Sequence, residues 1–129
     1  DDDRDCGKWV GRIMELAVCK VLHNLGMLPK YTGYKYLVEA VLMGVEKEGN
    51  LEHITKDVYP VIAGQHQVSV WMVESDIRSM IERCWKNVNP EWLSTYFPQM
   101  KEKNRPTNTQ LIEGIVLYLR ENKENVSEE

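Results

Sequence analysis

Met72, Glu74, Ser75, Arg78 and Ser79 lie close together and recur at steps of three and four, a spacing that gathers side chains on one face of a helix. Their chemistry suits the edges of base pairs. Arginine can bond guanine through two nitrogens, serine can bond several bases, glutamate can accept from the cytosine amino group, and methionine can touch a thymine methyl. Lys56, Ser69, Trp71, Lys86 and Arg105 are of types that hold a sugar-phosphate backbone, and Lys101 and Lys103 stand beside Arg105. For any one of these lysines or arginines the plain alternative is a solubilising surface charge. Trp71 either clamps a phosphate-sugar edge or covers a neighbouring helix, and the size of an indole favours partial burial. Glu74 and Asp76 fall in the first turns of the same helix, where a carboxylate complements the helix dipole.

Other chemistries find no support. His23, His53 and His66 are far apart and form no HExxH pair, and Cys6, Cys19 and Cys84 form no CxxC pair, so no metal site or disulfide framework is expected. Cys19 and Cys84 read as small core residues. His23 reads as a structural residue within a helix, and His66 as solvent-facing. The eight glycines are scattered and build neither GxGxxG nor GxxxxGK[ST], and there is no GxSxG elbow. No acid sits in an apolar run that would raise its pKa for proton transfer. The chain is expected to be neither an enzyme nor a cofactor carrier.

The elements that must position the base-reading face lie between positions 53 and 87. Ile54, Val58, Val61 and Ile62 give a first apolar stripe. Gly64 allows the chain to leave that helix, and Ser69 is a good N-cap for the next. Val70, Val73, Ile77, Met80 or Ile81, and Cys84 then form a second stripe, with the polar residues opposite. Two helices joined by a short turn containing glycine predict a helix-turn-helix.

The remaining pattern is also helical. Val10, Ile13, Leu16, Ala17, Val21 and Leu25 predict a helix from Trp9 that stops at Gly26. Tyr34, Leu37, Val38, Val41, Leu42 and Val45 predict another from Gly33 to Glu48, closed by Gly49-Asn50. Asn89-Pro90 opens a short helix that Pro98 halts. A polar loop over Gln99–Arg105 precedes a last helix that starts at Pro106-Thr107-Asn108-Thr109 and carries Leu111, Ile112, Ile115, Val116 and Leu119. With few strand signals, the fold class is all-α, about six helices around the helix-turn-helix. Residues 1–8 are expected to be a flexible lead or linker, 9–123 a single helical effector domain, and 124–129 a disordered acidic tail. The formal charge of −4 is uneven: each end carries −3, which leaves +2 between them. Positions 53–88 balance to zero, so no strongly basic face is present. No apolar run is long enough to span a membrane, and a cytoplasmic location is the default. A first residue that is not Met suggests a processed chain or an excised piece.

Several phrases resemble a known family. Ile54-Thr55-Lys56-Asp57-Val58-Tyr59-Pro60-Val61-Ile62-Ala63 resembles the first helix-turn-helix element of the effector domain of the sporulation-initiation response regulator of endospore-forming Firmicutes (the stage 0 sporulation protein A family). Val73-Glu74-Ser75-Asp76-Ile77-Arg78-Ser79-Met80-Ile81-Glu82, with Trp85, is similar to its recognition helix. Pro106-Thr107-Asn108, Leu25-Gly26 and Gly33-Tyr34-Lys35-Tyr36-Leu37 fit as well. The likeness runs in order from about His23 to Arg120. It implies a six-helix domain that binds a short promoter box on double-stranded DNA, often as tandem copies, with a homodimer on DNA as one arrangement. It also implies contact with RNA polymerase sigma factor through Trp92–Arg105. In the family a phosphorylatable receiver precedes this domain, and 129 residues leave no room for one beside it. Glu74 and Arg78 match the family, whereas Met72 and Ser75 stand where it offers arginines. Each lost guanine reader costs about 1–3 kcal/mol of discrimination, so the DNA sequence read is expected to differ.

Two readings follow: a sequence-specific DNA-binding transcriptional regulator, or a degenerate helix-turn-helix that serves protein–protein contact through Trp71 and Met72.

Overall fold

The apolar steps of three and four close into six α-helices: α1 (Asp2–Asn24), α2 (Thr32–Glu46), α3 (Tyr59–His66), α4 (Val70–Trp85), α5 (Pro90–Tyr96) and α6 (Asn108–Glu121). The computed structural model describes residues 2–100 and 105–122, with side chains from residue 11 onward. Among the described residues there is no strand, in keeping with the all-α pattern. Lys101, Lys103 and the acidic tail at 124–129 lie outside them.

Helix α2 is the hub. Tyr36, Leu37, Val38, Ala40 and Val41 are buried, as are Gly33 and Gly44, so the helix is covered on most sides and reads as a core helix. It packs chiefly on α4 and α6, and also touches α1 and α3. Close approach explains two glycines. A Cβ on Gly33 would run into the backbone carbonyl of Asp76 in α4, and one on Gly44 would sit 2.9 Å from Leu51 and Val116 side-chain atoms. Arg120 of α6 donates to the Gly44 carbonyl at 2.8 Å and pairs with Glu48 at 3.1 Å, which ties the end of α6 to the end of α2.

Several boundaries differ from the sequence reading. Helix α1 begins at Asp2, ahead of Trp9. Its buried stripe is Val18, Val21 and Leu22 rather than one through Leu16, which is 66% exposed. Among the side chains described, from residue 11 onward, full burial begins at Val18, later than the pattern suggests. Helix α2 ends at Glu46, a 3-10 turn follows over Glu48–Leu51, and the Asn50 amide donates to the Met43 carbonyl at 2.9 Å. The first helix of the helix-turn-helix starts as a π-helical turn, Ile54–Val58, before Tyr59 and Pro60 begin regular α3. Ile54, Val58 and Ile62 are buried but Val61 is exposed, because the buried face of α3 runs through Tyr59, Ile62 and Ala63 and leaves Val61 off it.

Gly64 does not end the helix. It lies inside α3, and the residue that turns the chain is Gln67, left-handed at φ 56°. The Ala63 carbonyl accepts from the N–H groups of both Gln67 and Val68, the C-terminal bonding of a Schellman motif. His66 ties the end of α3 to α2: its Nε2 lies 2.7 Å from Glu39 Oε2 and its ring stands edge-on to Tyr36. It is half-buried rather than solvent-facing, and His23 is exposed rather than structural.

Candidate nucleic-acid interface

Helix α4 begins with the expected cap: the Ser69 hydroxyl accepts from the Met72 N–H at 3.0 Å. That oxygen fixes the first turn and leaves the hydroxyl proton for another acceptor. Val73, Ile77, Met80, Ile81, Cys84 and Trp85 face inward, and burial pushes the Cys84 thiol above its ordinary 9.0. The opposite face forms a ridge in solvent. Trp71 is 69% and Met72 40% exposed; Arg78, Ser79, Glu82 and Lys86 are exposed, with Glu74, Ser75 and Asp76 half-buried. Trp71 therefore lies open, contrary to the partial burial its size suggests. It is in the first turn of α4, on the side away from the core helices. Lys56 is also exposed, on the π-helical turn.

The ridge brings the five candidate base readers together on α4. It does not leave every cation free. Arg78 Nη1 lies 2.7 Å from Glu74 Oε1, one turn back, a pairing that orients the guanidinium along the ridge. Arg105 Nη2 lies 3.4 Å from Glu82 Oε1, which brings Arg105 up against α4.

The walls beside the ridge carry residues that sequence patterning did not single out. Asn108, buried at the start of α6, donates from Nδ2 to the Glu74 carbonyl at 2.9 Å and fixes α6 to α4. Its helix start was legible, because Thr107 and Gln110 have capping-box spacing and form both bonds. On that flank a groove of about 370 Å³ is lined by Thr55, Tyr59, Arg78, Arg105, Thr107 and Thr109 among others. The Tyr59 hydroxyl is buried and its proton has no acceptor among the described residues. Burial raises its pKa above 10.0, against a smaller lowering from the neighbouring Asn108 side chain. On the other flank a smaller groove, about 210 Å³, has Lys30, Thr32, Ser79 and Arg83 in its lining. There Arg83 and Lys30 lie 5.6 Å and 5.7 Å from the centre of the Tyr31 ring, within cation–π reach.

A further hollow, about 440 Å³, lies elsewhere, between the Gln99–Met100 segment and α6, with Glu113 the only acid among the described residues of its lining. Among the described residues no three His, Cys, Asp or Glu side chains gather as a metal site would require, and no helix is long and apolar enough to cross a membrane. Compared with models of protein families, the chain matches the one described as sporulation initiation factor Spo0A C terminal, over residues 18–119.

Proposed function

Because the chain belongs to the Spo0A C-terminal family of sporulation regulators' DNA-binding effector domains, we propose that it is a sequence-specific transcriptional regulator whose helix α4 enters the major groove of double-stranded DNA. The observation that carries this reading is the exposed ridge of α4, backed by an apolar face locked into the core. In that pose Met72, Glu74, Ser75, Arg78 and Ser79 meet base edges. Lys56, Ser69, Trp71, Lys86 and Arg105 meet phosphates. The 9–123 region acts as one helical effector domain, with the helix-turn-helix at 53–87, and its working place is the cytoplasm.

Sigma-factor contact through Trp92–Arg105 and a homodimer on DNA belong to the same proposal. Of that sigma-facing stretch, positions 101–104 lie outside the described residues. Tyr96 is 45% exposed and stacks on Trp92 at 5.3 Å, giving α5 an aromatic face suited to a protein partner.

A second reading keeps α4 as a protein-docking helix, with Trp71 and Met72 as apolar anchors. It is favoured by their exposure and by the engagement of Arg78 with Glu74. Selection from a random duplex pool separates the two. Enrichment of a defined box, with affinity falling steeply as salt rises, supports the DNA reading. No enrichment, with any partner binding insensitive to salt, overturns it in favour of protein contact.

A further inference from the structure

We infer that the groove between the π-helical turn, α4 and the start of α6 seats a backbone phosphate of the DNA strand alongside α4, and that Glu82 holds the groove's Arg105 in the free protein. This rests on the DNA reading above and adds Thr55, Tyr59, Thr107 and Thr109, none of which the sequence marked for DNA contact.

Four observations converge there. Two arginines, Arg78 and Arg105, line one groove, and each is matched by a carboxylate from α4 itself. The Arg105–Glu82 pair is long, at 3.4 Å, and both side chains are about half exposed, so the bond is weak and a doubly contacted phosphate can displace it. Helix α6 points its N-terminal end at the groove. Its cap bonds serve Thr107 and Gln110, no acid sits in its first turn, and the one carboxylate among the groove's described lining residues, Glu74, is engaged by Arg78, so the positive end of the helix dipole is left without a carboxylate of its own. Tyr59, 2% exposed, lines the same groove with a buried hydroxyl that has no acceptor among the described residues. A donor in that condition is costly unless something supplies an acceptor. Burial also keeps that phenol protonated.

Position supplies the rest. A recognition helix in the major groove has a sugar-phosphate strand on each side. This groove opens on the Glu74–Arg78 flank of the ridge, beside the side chains proposed to read bases.

The test is salt-dependent binding of a random-sequence duplex of about 20 base pairs to the full chain and four variants. Arg105→Gln is expected to lower the slope of log affinity against log salt by about 0.9. Glu82→Gln is expected to tighten binding by about two- to fivefold, and the double variant to lose that gain. Thr109→Glu is expected to weaken binding at least about fivefold while holding or raising the melting temperature, since an acid suits the first turn of a helix. Wild-type DNA binding with unchanged slope and affinity in all variants would overturn the groove and leave the DNA reading standing. So would a Glu82→Gln gain that persists without Arg105. Absence of salt-sensitive binding by the wild type would remove both. Inorganic phosphate at matched ionic strength forms a second arm. If it stabilises the protein while every variant binds DNA like the wild type, the groove belongs to a free anion and the proposal fails.

Discussion

In the proposed pose Arg78 meets a base with Glu74 in attendance, since the two share a 2.7 Å bond. The pair can act together, the guanidinium toward guanine and the carboxylate toward a cytosine amino group. Arg78→Ala is therefore expected to weaken binding to a selected sequence by about 1–3 kcal/mol, read by fluorescence anisotropy; an unchanged Kd would take this residue out of the interface. Asn108 acts on stability instead. Its bond to the Glu74 carbonyl is buried, and Asn108→Ala is expected to cost about 0.5–1.5 kcal/mol in urea denaturation. Local spacing anticipated the exposed place of Arg78 on α4 and the Ser69 cap because both obey rules within one helix. It could not find the Glu39–His66 bond, whose partners are 27 positions apart, nor the exposure of Trp71, which depends on which neighbours flank the first turn of α4.

Two glycines show what element-scale packing adds to sequence. Gly33 looks like a helix start, but its missing side chain is what lets α2 lie against the backbone of α4. Gly33→Ala must push two backbones apart and is expected to destabilise by about 1–3 kcal/mol. Gly64 looks like a helix stop, yet it sits in α3 with open space where a Cβ would go. Gly64→Ala is expected to stabilise by about 0.5–1 kcal/mol, visible as a higher urea midpoint; a loss would restore the turn to that residue. The longer helices were legible because apolar periodicity is strong over α1, α2, α4 and α6. The π-helical turn was not, because one wide turn leaves almost the same apolar pattern as a regular one.

Over the whole molecule, burial sets the response to alkali. Tyr34 is pushed up to about 12, first by burial and then by the neighbouring Cys19. Tyr36, Tyr59 and Cys84 are raised by burial as well. The unfolded chain releases these protons near 10.0 for the phenols and 9.0 for the thiol, whereas the folded chain retains them. The folded state then binds more protons, so stability falls as pH rises. Melting temperature is expected to be insensitive to these groups below about pH 8.5 and to drop progressively above pH 9, with the loss starting at the thiol. The all-α architecture and its family were readable because the likeness runs along most of the chain in order. The two grooves beside α4 were not, since each joins residues from helices distant in sequence.

The bare indole at the leading end of α4 equips the molecule with its own optical gauge. Of the four tryptophans, Trp71 stands in water and Trp85 is enclosed, so once Trp9 and Trp92 are replaced by Phe a soluble quencher should extinguish the first and spare the second. Shielding of that quenchable emission by a duplex, and its survival in the presence of a protein partner alone, would report from inside the contact which kind of surface α4 has met.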